Sequence, residues 1–236
     1  MKLFYSLKII NSKFNNMSVM NTQQSPTHGE VKQSIELPPS ILQGLENMML
    51  TMPSEFQTQT LPIILAHGPS KQNVLAVAPR RSGKTVTSWL GVLAQVDEEQ
   101  CTPQAIYICQ SVSLEYNIWQ MRTICRFTNI KIRILHESEI DKVDAQVIVG
   151  TPDSILQLMR RELFDLRHIN VFSIDECQDE DFQEKCMEIK KLLPNTTQTL
   201  LFAQARTSQV ARFATKLLGD DFASVVEKHK ITIISK

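Results

Sequence analysis

The feature that most constrains the fold of this chain is a short apolar run that leads into a loop ending in Gly-Lys-Thr. Residues 74–77 are apolar, residues 78–85 read Ala-Pro-Arg-Arg-Ser-Gly-Lys-Thr, and helical apolar spacing follows over residues 86–95. A strand, a loop and a helix in this order aim the N–H groups of the loop and the positive end of the helix dipole at an anion. Lys84 is then expected to reach the β- and γ-phosphates of a nucleotide, and the Thr85 hydroxyl to ligate Mg²⁺.

Apolar runs that resemble buried strands alternate with helix-like segments along most of the chain. The predicted strands are residues 74–78, 105–109, 130–135, 146–150, 170–174 and 199–203, with 223–227 as a last candidate. The predicted helices are residues 41–50, 56–65, 84–95, 113–127, 152–161, 181–193 and 208–218. Strands that are apolar on both faces and alternate with helices predict an α/β fold, with a mostly parallel sheet covered by helices on both faces.

Composition sets further bounds on the domain organisation and on the partners. The formal net charge is zero, so any nucleic-acid site must be a local patch. No apolar run is long enough to span a membrane, and no membrane partner is expected. Residues 1–33 are rich in Asn, Ser and Gln and carry no acid before Glu30, which predicts a disordered tail, with a mitochondrial presequence as the alternative. Residues 34–236 are predicted to form a single domain.

A second motif follows the predicted strand at residues 170–174. The chain continues as Asp175-Glu176 and stays acidic up to Asp181. Because ligands of parallel sheets bind at the carboxyl ends of the strands, these acids are expected to share an edge of the sheet with Lys84. Asp175 would hold Mg²⁺, partly through water, and Glu176 would orient and deprotonate an attacking water. The alternative interpretation is an acidic helix start that carries no chemistry.

These motifs together resemble the first RecA-like domain of the DEAD-box RNA helicases. The resemblance runs from about Ile35 to the C-terminus. Residues 175–178, Asp-Glu-Cys-Gln, stand in the place of Asp-Glu-Ala-Asp, and Gln57 falls where the family reads adenine. Residues 151–154, Thr-Pro-Asp-Ser, are similar to the motif Thr-Pro-Gly-Arg, which contacts the RNA backbone. The resemblance implies a RecA-like P-loop domain with ATP and Mg²⁺ as cofactors.

The resemblance also assigns roles to individual residues. The expected catalytic residues are Glu176, Asp175 and Lys84, and the expected magnesium ligands are Thr85 and Asp175. The expected nucleotide-binding residues are Gln57, Arg80, Arg81, Ser82, Gly83, Lys84 and Thr85. The expected RNA contacts are Ser111, Thr151 and Pro152.

Several positions depart from the family pattern. Arg81 stands where the family's phosphate loop has Gly, and a large side chain resists backbone shapes that Gly adopts freely. Residues 203–205, Ala-Gln-Ala, replace Ser-Ala-Thr and so lose both hydroxyls, and Gln178 replaces the final Asp. We also expect the second RecA-like domain, which in the family supplies transition-state arginines, to be absent. These departures predict weak or no unwinding and slow hydrolysis by this chain alone.

Two functions are therefore expected to compete. The first is an ATP-binding RNA helicase homologue with RNA-binding capacity, acting in mRNA export or RNP remodelling, because residues 37–44, 146–152 and 193–202 are similar to the mRNA-export subfamily. The second is a non-catalytic, helicase-like interaction module that docks a partner or competes with a full-length helicase. We expect a monomer in the cytoplasm or nucleus that binds single-stranded RNA weakly through its backbone and meets a protein partner at the nuclear pore or an RNP. Trp89 and Trp119 are expected to pack in the core or at an interface rather than on bases.

Overall fold

A computed structural model of the chain describes residues 37–110, 114–135, 142–176 and 179–227. The strands are β1 Asn73–Val77, β2 Ala105–Ile108, β3 Ile132–Ile134, β4 Val147–Gly150, β5 Val171–Asp175, β6 Gln198–Ala203 and β7 Phe222–Val226. The helices are α1 Pro39–Asn47, α2 Glu55–Ile64, α3 Lys84–Leu93, α4 Leu114–Ile124, α5 Pro152–Arg160, α6 Glu180–Leu192 and α7 Ser208–Leu218. The predicted tail at residues 1–33 lies outside the described residues, and the extent of the domain stays a prediction.

Within the described residues, the strands form one seven-stranded sheet in the order β3-β4-β2-β5-β6-β1-β7. Every neighbouring pair is parallel, which confirms the predicted sheet. This order places β1 and β5 on either side of β6, so the loop after β1 and the acids that end β5 lie at the same edge.

Apolar side chains fill both faces of the sheet because successive residues of a strand point to opposite sides. In β1, Val74 and Ala76 join one core with α1, α2, α3 and α4, whereas Leu75 and Val77 join a second core with α5, α6 and α7. The prediction of helices on both faces is therefore confirmed. Among the described residues, no helix is long and apolar enough to cross a membrane.

The two tryptophans differ in their surroundings. Trp89 is fully buried in the first core, as expected for a packing residue. Trp119 on α4 is 62% exposed and therefore lies outside the core, so of the two predicted surroundings, core or interface, only the interface stays a prediction.

Helices α1 and α4 approach each other closely at Gly44. A Cβ atom built on Gly44 would overlap the backbone carbonyl group of Ile124. Because that obstacle is backbone rather than a flexible side chain, only glycine permits this approach of the two helices.

Candidate nucleotide-binding site

The Lys84 ammonium lies at the centre of the loop that joins β1 to α3. Its Nζ donates hydrogen bonds to the carbonyl oxygens of Ala78, at 2.7 Å, and of Pro79, at 2.8 Å. Only 6% of Lys84 is exposed, and this burial lowers the pKa of the lysine, while the nearby carboxylates of Glu176 and Asp175 raise it. The ammonium is thus an almost buried charge at the same edge of the sheet as the two acids of the second motif, near enough for their charges to raise its pKa.

The backbone of this loop passes twice through the left-handed region. Gly83, which precedes α3, has a φ of 94°, and Arg81 has a φ of 67°. For a residue with a Cβ atom this conformation costs roughly 1–2 kcal/mol. The DEAD-box pattern has Gly at the position of Arg81. The positive φ explains that preference, because this loop adopts a backbone conformation that favours glycine even though the residue here is arginine.

The loop is also joined to the segment that follows β6. The Ala78 N–H donates a 3.1 Å hydrogen bond to the Ala203 carbonyl, which extends the pairing of β1 with β6 into the loop. Further out, the exposed Arg80 side chain donates through Nε to Gln204 Oε1 at 3.4 Å. The Ala-Gln-Ala replacement at residues 203–205 therefore contacts the phosphate loop directly.

Asp175, the last residue of β5, presents a nearly buried carboxyl group to this loop. It is 7% exposed, and its Oδ2 accepts a 2.7 Å hydrogen bond from the Tyr107 hydroxyl. Within the described part of the chain, Oδ1 has no hydrogen-bond partner. Burial raises the pKa of Asp175, and the nearby hydroxyls of Tyr107 and Thr85 and the Lys84 ammonium lower it.

This donor set fits a magnesium ion. Mg²⁺ prefers oxygen ligands and is held in proteins through one or two carboxylates together with phosphate oxygens. The unpartnered, buried Oδ1 of Asp175 and the adjacent Thr85 hydroxyl are such ligands, on the rim that also carries Lys84.

Glu176 leaves the strand in a strained conformation. Its φ is 65°, and its N–H donates a 3.2 Å hydrogen bond to the Phe202 carbonyl. The side chain is half-buried beside Lys84. Strained residues are frequent at functional sites, although Met49 and Glu162, away from these motifs, also have positive φ values.

The start of α2 is docked on the phosphate loop through Ser54 and Gln57. Ser54 N donates to Gln57 Oε1 at 2.8 Å, and Gln57 N donates to Ser54 Oγ at 3.2 Å, which forms a reciprocal capping box. The Ser54 hydroxyl then donates to the Ser82 carbonyl at 2.7 Å, and Gln57 Nε2 donates to the Gly83 carbonyl at 3.5 Å. Gln57 is thus brought to the loop, while its reading of adenine stays a prediction.

The predicted RNA contacts follow β2 and β4. Thr151 directly follows β4 and caps α5, where its hydroxyl accepts from Ser154 N at 3.3 Å. Pro152 is buried in the first turn of α5, so Thr151, which is half-buried, is the more accessible of the pair. Ser111 lies outside the described residues, as do Cys177 and Gln178.

Two residues of the site were missed from the sequence. Tyr107 lies in the predicted strand at 105–109 without a role of its own, and Ser54 has no predicted role. The signal for Ser54 was present, because Ser followed three residues later by Gln is a capping-box pattern. The signal for Tyr107 was weak, because one hydroxyl group in an otherwise apolar strand does not indicate a role in a site.

A parallel sheet whose β1 enters α3 through a Gly-Lys-Thr loop, with an acidic pair ending β5 at the same rim, defines a RecA-like P-loop domain. The sequence profile of the DEAD/DEAH box helicases matches residues 54–212. Because this match covers more than half of the chain, the chain belongs to the DEAD/DEAH box helicase family.

Comparison with curated proteins gives relatives that are consistent with this assignment. ATP-dependent RNA helicase DBP5 of Saccharomyces cerevisiae is 33% identical over 205 residues, which are 84% of this chain and 42% of the relative. The dbp5 protein of Schizosaccharomyces pombe is 32% identical over 190 residues, which are 77% of this chain and 37% of the relative. The chain spans about two fifths of the length of these curated relatives.

Solved structures agree with the fold. Saccharomyces cerevisiae Dbp5 bound to RNA and ADP BeF3 has a TM-score of 0.75 and 31% identity, over 81% of this chain and 50% of that chain. A DEAD box protein from the hyperthermophile Methanococcus jannaschii has a TM-score of 0.70 at 21% identity, and so shares the fold. The resemblance to the first RecA-like domain of DEAD-box helicases is confirmed.

Proposed function

We propose that this chain binds an adenosine nucleotide with Mg²⁺ as a DEAD-box-type RNA helicase homologue, and that by itself it hydrolyses ATP slowly and unwinds little or no RNA. The observation that carries the proposal is the meeting of Lys84 and Asp175 at one rim of the sheet. Both groups are more than nine-tenths buried, and each charge affects the pKa of the other. Two buried opposite charges are costly to maintain unless they serve a ligand or each other.

The residues of the site bind different parts of the nucleotide. Lys84 exchanges its bonds to the Ala78 and Pro79 carbonyls for phosphate oxygens, and the N–H groups at the start of α3 face the same anion. Thr85 and Asp175 would hold Mg²⁺, which when bound neutralises phosphate charge. Glu176 accepts the proton of the attacking water at its carboxylate. Gln57 recognises the adenine edge, since an amide both donates and accepts, and Arg80, Arg81, Ser82 and Gly83 complete the phosphate contacts.

RNA and protein partners form the second part of the proposal. Relatives have been solved with RNA and ADP BeF3, and with nup159, gle1, ip6 and adp. We propose that Thr151 and Pro152, at the start of α5, and Ser111 contact the backbone of single-stranded RNA weakly. A role in mRNA export or RNP remodelling, in the cytoplasm or nucleus and with a partner at the nuclear pore, is supported by the DBP5 relatives.

Slow hydrolysis follows from chemistry that this segment does not supply by itself. An arginine placed on the transferring phosphoryl group from outside the loop is worth roughly 10³–10⁵ in rate. In DEAD-box helicases that arginine comes from a second RecA-like domain. Residues 203–205 also lack the hydroxyls that link the motions of the two domains in the family.

A non-catalytic interaction module is the second candidate function. It is favoured by the replaced Ala-Gln-Ala segment, in which Gln204 accepts a hydrogen bond from Arg80 and so bridges the segment after β6 to the loop. Such a module would dock a partner or compete with a full-length helicase while turning over no ATP.

Nucleotide titration separates the two candidates. Fluorescent ADP and ATP are titrated with Mg²⁺ into the chain and into Lys84→Ala, which is expected to weaken binding at least tenfold. Lys190→Ala is the matched control, because Lys190 is also a partly buried lysine that donates to a backbone carbonyl, that of Thr197, but outside the loop. Undetectable binding at millimolar nucleotide would favour the interaction module. Robust RNA-stimulated turnover by the isolated chain would contradict the proposed slow hydrolysis.

A further inference from the structure

We propose that Tyr107 is a positioning residue for the magnesium-binding carboxylate: its hydroxyl fixes Oδ2 of Asp175 and thereby keeps Oδ1 available to the ion and its water. This inference rests on the proposed nucleotide binding and names a residue that the family motifs do not contain. Tyr107 is the third residue of the four-residue strand β2.

The sheet places the tyrosine beside Asp175. Strand β2 pairs with β5, and Tyr107 lies opposite Ser173, two residues before Asp175. From that position the phenol ring extends toward the carboxyl end of β5, and its hydroxyl lies 2.7 Å from Asp175 Oδ2. The hydrogen bond therefore depends on the strand order, and a smaller residue at position 107 would not reach.

The ring of Tyr107 is held by its surroundings. The side chain is fully buried, and its ring packs against the Trp89 ring of α3 with centroids 6.3 Å apart and planes inclined by 57°. Aromatic pairs at this distance and inclination are stabilising. Because the phenol cannot rotate freely, its hydroxyl is a preorganised donor to the carboxylate.

Fixing one carboxylate oxygen defines the direction of the other. A side chain with two free oxygens can turn about its terminal bond, and each orientation that points away from the ion lowers the metal affinity. Outer-shell groups that orient a metal ligand typically change the metal affinity by 10–100-fold when they are removed. We therefore expect Tyr107→Phe, which deletes only the hydroxyl, to reduce the Mg²⁺-dependent part of nucleotide binding about tenfold or more.

The test compares the dissociation constant of fluorescent ADP in Mg²⁺ with that in EDTA. The ratio of the two constants isolates the contribution of the ion, which a general loss of stability does not change. Ser173→Ala is the matched control, because it removes the buried 2.7 Å hydrogen bond between the Ser88 and Ser173 hydroxyls in the same layer without touching Asp175. Tyr116→Phe controls for the substitution itself on an exposed tyrosine. Both controls are expected to keep the wild-type ratio.

The outcomes distinguish this inference from the proposed function. A wild-type chain that binds no nucleotide overturns both. A wild-type chain with Mg²⁺-dependent binding, together with an unchanged or larger ratio in Tyr107→Phe, overturns the role of Tyr107 alone.

If Tyr107→Phe does not fold, the wild-type chain labelled with 3-fluorotyrosine provides a second measurement. The ¹⁹F resonance of residue 107 is expected to shift when Mg²⁺ is added to the ADP complex, while that of Tyr116 stays in place. An unmoved resonance at residue 107 would overturn the inference.

Discussion

The Ser54 hydroxyl donates a 2.7 Å hydrogen bond to the Ser82 carbonyl, across 28 positions of the sequence. One side chain thus caps helix α2 and ties that helix to the phosphate loop. Since Gln57 belongs to the same capping box, the position of the proposed adenine-reading amide depends on this tie.

Ser54→Ala is expected to lower both stability and nucleotide affinity. Loss of an N-cap serine costs about 1 kcal/mol of unfolding free energy, measured by urea denaturation. Thr207→Ala is the matched control, because Thr207 caps α7 by accepting from Val210 N at 3.1 Å and, within the described part of the chain, its hydroxyl makes no hydrogen bond to the phosphate loop. Both variants should lose similar stability, and only Ser54→Ala should weaken ADP binding. Equal affinity in the two variants would contradict a role for the tie.

Arg81→Gly is expected to stabilise the protein. The left-handed conformation at Arg81 costs roughly 1–2 kcal/mol for a residue with a Cβ atom, and the extra chain entropy of glycine offsets about 0.5–1 kcal/mol of the gain. Arg80→Gly, one position earlier and without a positive φ, should instead be destabilising. Urea denaturation of the two variants should therefore differ by about 1–2 kcal/mol, and the opposite order would show that Arg81 is not strained.

Gly44→Ala is expected to destabilise the packing of α1 on α4. Alanine is a better helix former than glycine by about 0.8–1.0 kcal/mol, so the same substitution in an exposed helix would stabilise the protein. The added Cβ would overlap the Ile124 carbonyl, and overpacking typically costs about 1–3 kcal/mol. Thermal denaturation should show a lower Tm, with the adjacent and exposed Gln43→Ala close to wild type. A raised Tm would contradict the prediction, because it would mean that α1 and α4 can move apart without a loss of stability.

The exposed turn at Asp165 is expected to add an acid-labile contribution to stability. Side-chain hydrogen bonds from Arg167, followed by its backbone N–H, lower the pKa of Asp165 from 3.8 to about 2. Because the folded-state pKa is depressed, the stabilisation is present above the ordinary pKa and is lost as the pH falls toward about 2.

The test is the difference in Tm between wild type and Asp165→Asn, measured from neutral pH downward. The difference should shrink between pH 3.8 and about 2, and it should also shrink in high salt because the pair is solvent-exposed. A difference that stays constant over this range would exclude a titrating contribution from Asp165.

The alternation of strands and helices was predictable because the core strands are apolar on both faces and most of the segments between them have helical apolar spacing. The observed bounds differ from the predicted ones by a few residues where the ends of an element have mixed burial. The predicted strand at 130–135 is confined to Ile132–Ile134, and the predicted helix at 113–127 ends in a 3₁₀ turn at Cys125–Phe127. The meeting of Lys84 with Asp175 was also predictable, because parallel strands share a carboxyl edge.

What the sequence could not reveal depends on strand order and on backbone shape. The Tyr107–Asp175 bond exists only because β2 lies beside β5, a pairing between segments about 68 residues apart that no local pattern encodes. The left-handed conformation of Arg81 was hidden for another reason, since arginine gives no sign of a positive φ. The exposure of Trp119 depends on which side of α4 packs against α1, and the apolar spacing of the helix alone left this open.

The hydrogen bond from Ala78 to Ala203 makes the first residue of the phosphate loop an extension of the sheet. A displacement of Ala78 is therefore expected to move the end of β6 and the two exposed residues that follow it. Movement of the phosphate loop is therefore expected to reach the Ala-Gln-Ala segment, whose three side chains carry no hydroxyl group.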